Sequence, residues 1–268
     1  MGTYRILGIG DIVGSPGRRA VKALLPEMRR SMGIDFVVGN GENLSGGSGM
    51  RPQEAEELFA AGVDVITGGD HVWGKRELIP YIDKTDRILR PANYPPEQPG
   101  LGFAVYRNGR GPAVGVIHVQ GRIFMNISAD CPFKAIDRAI EQIRPQTPVI
   151  VVDFHAEATS EKVAAGWHVD GRASFLFGTH THVQTADDRV LPQGTAYITD
   201  VGMTGPYDSV IGRVKEIVIQ KFLTQIPARF DVATDDARLC GAVATIDAET
   251  GRAEKIERVM VSYDGDHR

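Results

Sequence analysis

Cysteine is scarce in this chain of 268 residues: only Cys131 and Cys240 are present, far apart and outside any CxxC motif. A disulfide framework is therefore not expected, and a reducing, cytoplasmic location fits best. Long apolar runs are also missing, since none approaches the roughly 20 residues that cross a bilayer, so we expect no membrane partner. The net charge is −4, with acids and bases mixed along the chain. Because an excess of basic residues is absent, no stable nucleic-acid complex is expected.

Short apolar segments alternate with amphipathic segments along the first two thirds of the chain. The apolar segments are rich in β-branched residues and lack strict alternation, as is typical of strands that are covered on both faces. The predicted strands are 4–10, 35–40, 63–69, 113–119, 148–154 and 173–178. This βαβα rhythm predicts an α/β fold with a layered sheet, and we expect residues 1–268 to form one domain.

Helix signals separate the predicted strands, and the final third changes character. Ser15 is a candidate N-cap with Pro16 in the first turn, and Gly62 is a candidate C-cap. The final third contains strand-like segments with a hairpin turn between the last two, so we expect an antiparallel portion there. These segments are 197–202, 229–234, 240–247 and 255–263.

Polar residues recur at one place, just after the predicted strands end. In open α/β sheets, sites form outside the carboxyl ends of the strands, so these side chains should meet at one rim. They are Asp11, Asn40, Glu42, Asn43, Asp70, His71, His155, His180 and His182. Each also has an ordinary structural explanation, as a helix cap, turn residue or surface residue, and only their joint placement points to a site.

Two histidines one residue apart, His180 and His182, follow the apolar segment 173–178. In an extended segment, residues i and i+2 point to the same side, so both imidazoles should enter one small volume. Imidazoles together with carboxylates suit Zn, Mn or Fe. Six or more ligands exceed the need of one ion and predict two, which together can hold a phosphoryl group and activate a hydroxide.

Other features of the sequence have competing explanations. The segment "GIGDIVG" resembles a dinucleotide-binding turn, but Asp11 would place a carboxylate where a pyrophosphate needs free N–H groups. Arg90 in "RPANYP" is either a phosphate ligand or, as we favour, a structural residue. For the remaining histidines we favour structural roles; they are His118, His168 and His267.

Several blocks together resemble the YmdB-like family of bacterial metallophosphoesterases over nearly the whole chain and in order. The blocks are "GDIVGSPGRR", "NGENLSGGSG", "GGDHVW", "RPANYP", "DFHAEATSEK", "GTHTHVQTAD" and "GTAYITDVGMTGP". The resemblance implies a calcineurin-like metallophosphoesterase fold, a layered β-sandwich flanked by helices, with a dinuclear metal centre. It also implies phosphodiesterase activity on 2′,3′-cyclic nucleotides and makes a homo-oligomer reasonable.

The resemblance also implies roles for individual residues. One metal would be held by Asp11 and His182, the second by Asp70, His155 and His180, and Glu42 would bridge them. Asn43 would orient the phosphate, and His71 would protonate the leaving alkoxide. For Glu157 we expect support of the His155 imidazole.

One departure from the family pattern lies after the third predicted strand. The pattern most often reads G-N-H-x-W-D, whereas this chain has Asp70 in place of the Asn and Gly74 in place of the final Asp. The added charge should strengthen ion binding and repel an anionic substrate. It also leaves open a nucleotide- or metal-sensing protein with weak turnover. A phosphomonoesterase or another metallohydrolase using the same ligands is a further alternative.

Overall fold

Two β-sheets packed face to face form the centre of the molecule. The computed structural model describes residues 2–126 and 128–265, and within them one sheet has eight strands and the other six. Apolar side chains from both sheets fill the space between them, among them Ile6, Val38, Val116, Val151 and Phe177. The predicted α/β fold and the layered β-sandwich are therefore confirmed.

The short strands at 11–12, 88–89 and 103–106 were not predicted, but every strand predicted for the first two thirds is present among the strands of the described residues. In chain order they are Thr3–Ile9 (β1), Asp11–Ile12 (β2), Phe36–Asn40 (β3), Val65–Thr67 (β4), Ile88–Leu89 (β5), Phe103–Tyr106 (β6), Val114–Gln120 (β7), Ile150–His155 (β8), Phe175–Thr179 (β9), Arg189–Val190 (β10), Ala196–Ile198 (β11), Met203–Pro206 (β12), Ala237–Asp247 (β13) and Ala253–Ser262 (β14).

The eight-stranded sheet has the order β2-β12-β13-β1-β3-β4-β5, with β14 paired to β13. Strands β1, β3, β4 and β5 run parallel, and β13 pairs antiparallel with both β1 and β14. The six-stranded sheet has the order β10-β11-β9-β8-β7-β6, and β7, β8, β9 and β11 run parallel in it. The parallel strands place their carboxyl ends at a common edge of each sheet.

Helices cover the outer faces of the sandwich. They are Gly14–Ser31 (α1), Pro52–Ala61 (α2), Ile79–Ile82 (α3, preceded by a 3₁₀ turn at Arg76–Leu78), Pro132–Ile143 (α4), Thr159–Val169 (α5) and Lys215–Thr224 (α6). Gly62 ends α2 in the left-handed conformation, as predicted. Ser15 is not the N-cap of α1, because the helix begins at Gly14 and its cap residue is Val13.

The last third departs from the prediction in several places. Strand β11 ends at Ile198 and pairs parallel with β9, and neither β10 nor β12 was predicted. The antiparallel hairpin β13–β14 is confirmed. Residues 229–234 form no strand, and only an isolated bridge from Val232 to Arg213 is present there. The helix α6 was not predicted, since half of its residues are apolar without a clear single face.

The cysteines and the helix lengths can also be compared with what the composition predicted. Cys131 and Cys240 are free thiols, as expected from their number and spacing. Among residues 2–126 and 128–265, no helix is both long enough and apolar enough to span a membrane.

Candidate metal centre

The polar side chains that follow the strands meet at one edge of the sandwich. Asp11 follows β1, Glu42 follows β3 and Asp70 follows β4, all from the eight-stranded sheet. His155 ends β8, and His180 directly follows β9, both from the six-stranded sheet. The site is therefore assembled from both sheets, because the carboxyl ends of their parallel strands open onto the same edge.

Four of these side chains form a first group in which all ligand atoms lie within 4.8 Å of one another: Glu42, Asp70, His155 and His180. His155 Nε2 lies 3.1 Å from Glu42 Oε2, from Asp70 Oδ1 and from His180 Nδ1. Ligand atoms at about 2.1 Å from one ion are separated by roughly 3.0–3.4 Å at tetrahedral or octahedral angles, so these spacings fit a shared cation.

A second group shares Glu42 with the first and adds Asp11 and His182. Asp11 Oδ1 lies 3.8 Å from His182 Nε2 and 3.8 Å from His155 Nδ1. Asn43 joins this group through its Oδ1, which is 3.0 Å from His182 Nε2. The structure thus brings all six predicted ligands together, in two groups with Glu42 in common.

The hydrogen bonds of His155 indicate that the first group is built for a cation. Thr179 Oγ1 donates to Asp153 Oδ1 at 2.7 Å, so it accepts from His155 Nδ1 at 2.9 Å. In a neutral imidazole, Nε2 then carries a lone pair. That lone pair faces oxygen and nitrogen atoms that also carry lone pairs, so a positive charge, a proton on Nε2 or a metal ion, is needed between them.

The second group shows the same arrangement around His182. His182 Nδ1 donates to the carbonyl oxygen of Ile211 at 3.0 Å, which leaves a lone pair on Nε2. Asn43 Nδ2 donates to Gly47 O at 3.3 Å, and this bond turns the amide oxygen towards that lone pair. Asp11 Oδ1 is buried and has no hydrogen-bond partner among the described residues. A cation would satisfy all three acceptors.

The pKa shifts agree with a centre that favours positive charge. Burial raises the pKa of the Asp11 carboxyl to about 7. Burial also opposes charge on Glu42, but the neighbouring His155 outweighs it and lowers the pKa of Glu42 to about 2. For His155 the effect of burial is again outweighed, and the carboxylates of Glu42 and Asp70 raise its pKa well above the ordinary value. The carboxylates thus bind a positive charge strongly at their centre.

The paired histidines reach the site by a different backbone route from the one predicted. Strand β9 ends at Thr179, and His180 and His182 have positive φ angles of 96° and 64°. They are therefore not neighbours on one face of an extended segment, and each joins a different ligand group. Positive φ is uncommon for a non-glycine residue and often marks a functional site.

A buried ion pair beneath this loop holds it in place, and the sequence analysis did not identify it as part of the site. Asp200 Oδ2 accepts from Thr181 N at 3.1 Å and from Thr181 Oγ1 at 2.7 Å. Lys162 Nζ lies 2.7 Å from the same oxygen, and both charged groups are fully buried. The residue between the two histidines is therefore anchored from below. The signal in the sequence for this ion pair was Lys162, a charged residue on an apolar face of α5.

A second buried network lies behind Glu42 and His155. Asp153 Oδ2 accepts from Asn40 Nδ2 at 3.1 Å and from Thr67 Oγ1 at 2.6 Å, and Asn40 Oδ1 accepts from Glu42 N at 3.1 Å. The signal in the sequence for this network was Asp153, a charged residue within the apolar strand β8. Asn40 therefore positions the Glu42 loop, and both its amide nitrogen and its amide oxygen are engaged in this network.

A cleft of about 340 Å³ opens above the two groups. His71 lies on its wall, with Nδ1 3.4 Å from Glu42 Oε2, and this contact raises the pKa of the His71 imidazole. Gly69 has a φ of 111°, and a Cβ there would collide with the Glu42 carboxylate. Glycine at this position therefore allows Glu42 and the Asp70 loop to approach closely.

Other candidate residues take structural or supporting positions. Arg90 donates to the carbonyl oxygens of Pro91, Gln98 and Pro99, so the structural interpretation fits it. Glu157 Oε2 lies 3.3 Å from His180 Nε2. Glu157 therefore contacts His180, whereas a contact with His155 was expected.

Two of the remaining histidines, His118 and His168, belong to neither ligand group. His118 is buried with Nδ1 3.3 Å from Asp153, and His168 pairs with Asp137 at 2.8 Å. These contacts fit the structural roles expected for both. His267 lies outside the described residues.

The model of the family described as "YmdB-like protein" matches residues 7–259. The chain is 48% identical over 260 residues to a 2′,3′-cyclic-nucleotide 2′-phosphodiesterase of Bacillus subtilis, covering 97% of this chain and 98% of that protein. This chain therefore belongs to the YmdB-like family.

Two solved structures resemble the whole chain. A phosphatase structure from Mycoplasma pneumoniae has a TM-score of 0.90 and 32% identity, covering 98% of this chain and 94% of that one. A hypothetical protein from Thermus thermophilus has a TM-score of 0.89 and 41% identity, covering 96% of this chain and 99% of that one. The phosphatase structure and the phosphodiesterase relative assign the chain to the hydrolases that act on phosphoric ester bonds.

Proposed function

We propose that the chain is a phosphodiesterase that hydrolyses 2′,3′-cyclic nucleotides at a centre of two transition-metal ions. The observation that carries this proposal is the sharing of Glu42 by two ligand groups, one with Asp70, His155 and His180 and the other with Asp11 and His182. The relative from Bacillus subtilis, which is named for 2′,3′-cyclic nucleotides, supports the substrate.

Iron, manganese or zinc would fit the two groups, because their nitrogen and carboxylate donors suit these metals. Such a pair of ions would supply Lewis acidity, polarising the phosphoryl oxygens and lowering the pKa of a water molecule. The protein fixes the donors in advance: Thr179 and the Ile211 carbonyl each hold the second nitrogen of a histidine. Preset donors reduce the reorganisation that ion binding would otherwise require.

His71 is proposed to give a proton to the ribose oxygen that leaves phosphorus. Its imidazole faces the cleft and contacts Glu42, which favours the protonated form. In the net reaction, water adds across one P–O bond of the cyclic diester, and the product is a nucleoside monophosphate with a free hydroxyl.

Asn43 is proposed to orient the phosphate. One N–H of its amide is held by Gly47 O, and the other can donate to a phosphoryl oxygen in the cleft. Fixing the phosphate in this way would align the P–O bond that breaks with the attacking oxygen.

The proposed ligands come from both sheets, which supports a single domain over residues 1–268. The two free thiols support a cytoplasmic location.

The test is a substrate panel with protein that has been treated with a chelator and then supplied with Mn²⁺, Fe²⁺ or Zn²⁺. We expect hydrolysis of 2′,3′-cyclic AMP to stop on chelation, return with metal and exceed hydrolysis of 5′-AMP. His155→Ala should abolish turnover, and His168→Ala, a surface histidine paired with Asp137, is the matched control. A preference for the monoester would overturn the diesterase assignment. Tight binding of the diester without product release would favour a sensor instead.

A further inference from the structure

A tight turn at residues 210–213 forms part of the rim of the cleft. Val210 N donates to Arg213 O, and Arg213 N donates to Val210 O, each at 2.9 Å. The two residues between them, Ile211 and Gly212, have φ angles of 46° and 92°. Two central residues with positive φ between a hydrogen-bonded pair define a type I′ turn.

Isoleucine is a poor residue for the first central position of such a turn. Asn, Asp and Gly are preferred there, and a β-branched residue with positive φ is an outlier. The next position follows the rule, since a Cβ on Gly212 would meet Val13 Cγ1 at 2.9 Å. The strain is therefore confined to Ile211, and strain of this kind is retained at functional sites.

The backbone of Ile211 does not explain why an isoleucine is needed. Its carbonyl accepts from His182 Nδ1, but a residue of any type could present that oxygen. Arg213 holds the turn in place by donating to the carbonyl oxygens of Gly46, Gly47 and Phe230. The anchoring of the turn and of His182 is thus provided without the Ile211 side chain.

The side chain, in contrast, has a distinctive position. It is 52% exposed although it is apolar, and it lines the cleft above the two ligand groups. Among the described residues that line this cleft, Ile211 is the one aliphatic side chain, beside acids, histidines, an amide, a hydroxyl and a guanidinium. An exposed apolar side chain next to a polar site marks a contact for an apolar part of a ligand.

We propose that Ile211 is a specificity-determining residue that contacts the nucleoside part of the substrate. This inference rests on the function proposed above. The reacting phosphate would lie over the ligand groups, while the sugar and base pack against the Ile211 side chain. An aliphatic side chain has no hydrogen-bonding groups. The contact therefore favours a substrate that carries a nucleoside over one that does not, without distinguishing one base from another.

The test compares 2′,3′-cyclic nucleotides with ethylene phosphate, which has the same five-membered cyclic diester but neither sugar nor base. Hydrolysis of both substrates is monitored by ³¹P NMR. The measured quantity is the ratio of kcat/KM for the nucleotide to kcat/KM for ethylene phosphate. Ile211→Asn should lower this ratio by about 5- to 10-fold, for a purine and a pyrimidine nucleotide alike. Ile211→Gly, which also permits positive φ, should lower it similarly, and Ile211→Val should largely preserve it.

Stability separates this role from a structural one. Asn suits the turn better than Ile, so Ile211→Asn should raise Tm by about 2–4 °C while the ratio falls. Ile219→Asn on α6 changes a similarly exposed isoleucine, 51% exposed, and should leave the ratio unchanged.

Two results would overturn the role of Ile211 while leaving the proposed function intact. These are an unchanged ratio in Ile211→Asn, or an equal loss on both substrates. If the wild-type protein hydrolysed no cyclic nucleotide, the proposed function would fail first, and the nucleoside contact would fail with it.

Discussion

Asp70→Asn removes one negative charge from the first ligand group and is expected to change ion binding and substrate binding in opposite directions. Asp70 Oδ1 lies 3.1 Å from His155 Nε2 and 3.5 Å from His180 Nδ1, so an ion held by these nitrogens would lie beside the carboxylate. Unit charges about 4 Å apart interact by about 4 kcal/mol at an effective dielectric constant of about 20. Because the Asp70 side chain is 21% exposed and is therefore partly screened by solvent, we expect roughly half of this, a 10- to 100-fold loss of ion affinity.

The same charge repels an anionic phosphodiester in the cleft. At a separation of roughly 6 Å and a dielectric constant between that of water and about 20, the repulsion is about 1 kcal/mol. With saturating metal, the KM of Asp70→Asn for a 2′,3′-cyclic nucleotide should therefore fall about 5-fold.

Calorimetric titration of the chelated protein with Mn²⁺ measures the first effect, and steady-state kinetics at saturating Mn²⁺ measures the second. Asp137→Asn, which alters a carboxylate paired with Arg172 on the surface, is the control. Unchanged ion affinity together with an unchanged KM would refute this electrostatic reasoning.

Three other substitutions test separate parts of the account. Glu42→Gln should lower kcat at least 100-fold and leave at most one ion per chain by elemental analysis, because Glu42 belongs to both ligand groups. Two retained ions would count against a shared carboxylate. His71→Ala should slow hydrolysis of a cyclic nucleotide about 10²- to 10⁴-fold. Hydrolysis of a p-nitrophenyl diester should slow less than 10-fold, because its leaving group needs no proton. Equal losses on the two substrates would exclude His71 as the proton donor. Lys162→Met should lower Tm by roughly 10 °C in a thermal melt because it leaves the Asp200 charge buried and unpaired, whereas Lys215→Met, which breaks an exposed pair, should change Tm by less than about 2 °C.

The strand-end rule explains why much of the site could be predicted from the sequence. Asp70 and His155 are 85 residues apart, and Asn43 and His182 are 139 apart, yet each follows or ends a parallel strand. Apolar strand patterns are local and readable, and parallel strands present their carboxyl ends at a common edge. The convergence of these side chains was therefore predictable without knowledge of the exact strand order.

Features that depend on backbone conformation or on buried partners were not predictable in this way. The positive φ angle of Ile211 has no signal in residue type, because a β-branched residue disfavours that conformation. The pairing of Lys162 with Asp200 joins a helix to a distant loop, and charge alone does not indicate that both groups are fully buried. Such contacts are determined by tertiary packing, which local periodicity does not encode.

The central claim is that two ions bind the groups that share Glu42, and the metal content of the purified chain tests it most directly. After chelation, reconstitution and removal of excess metal, elemental analysis by mass spectrometry should give about two transition-metal ions per chain. A value that stays at one ion or below under all metals tried would contradict the dinuclear centre.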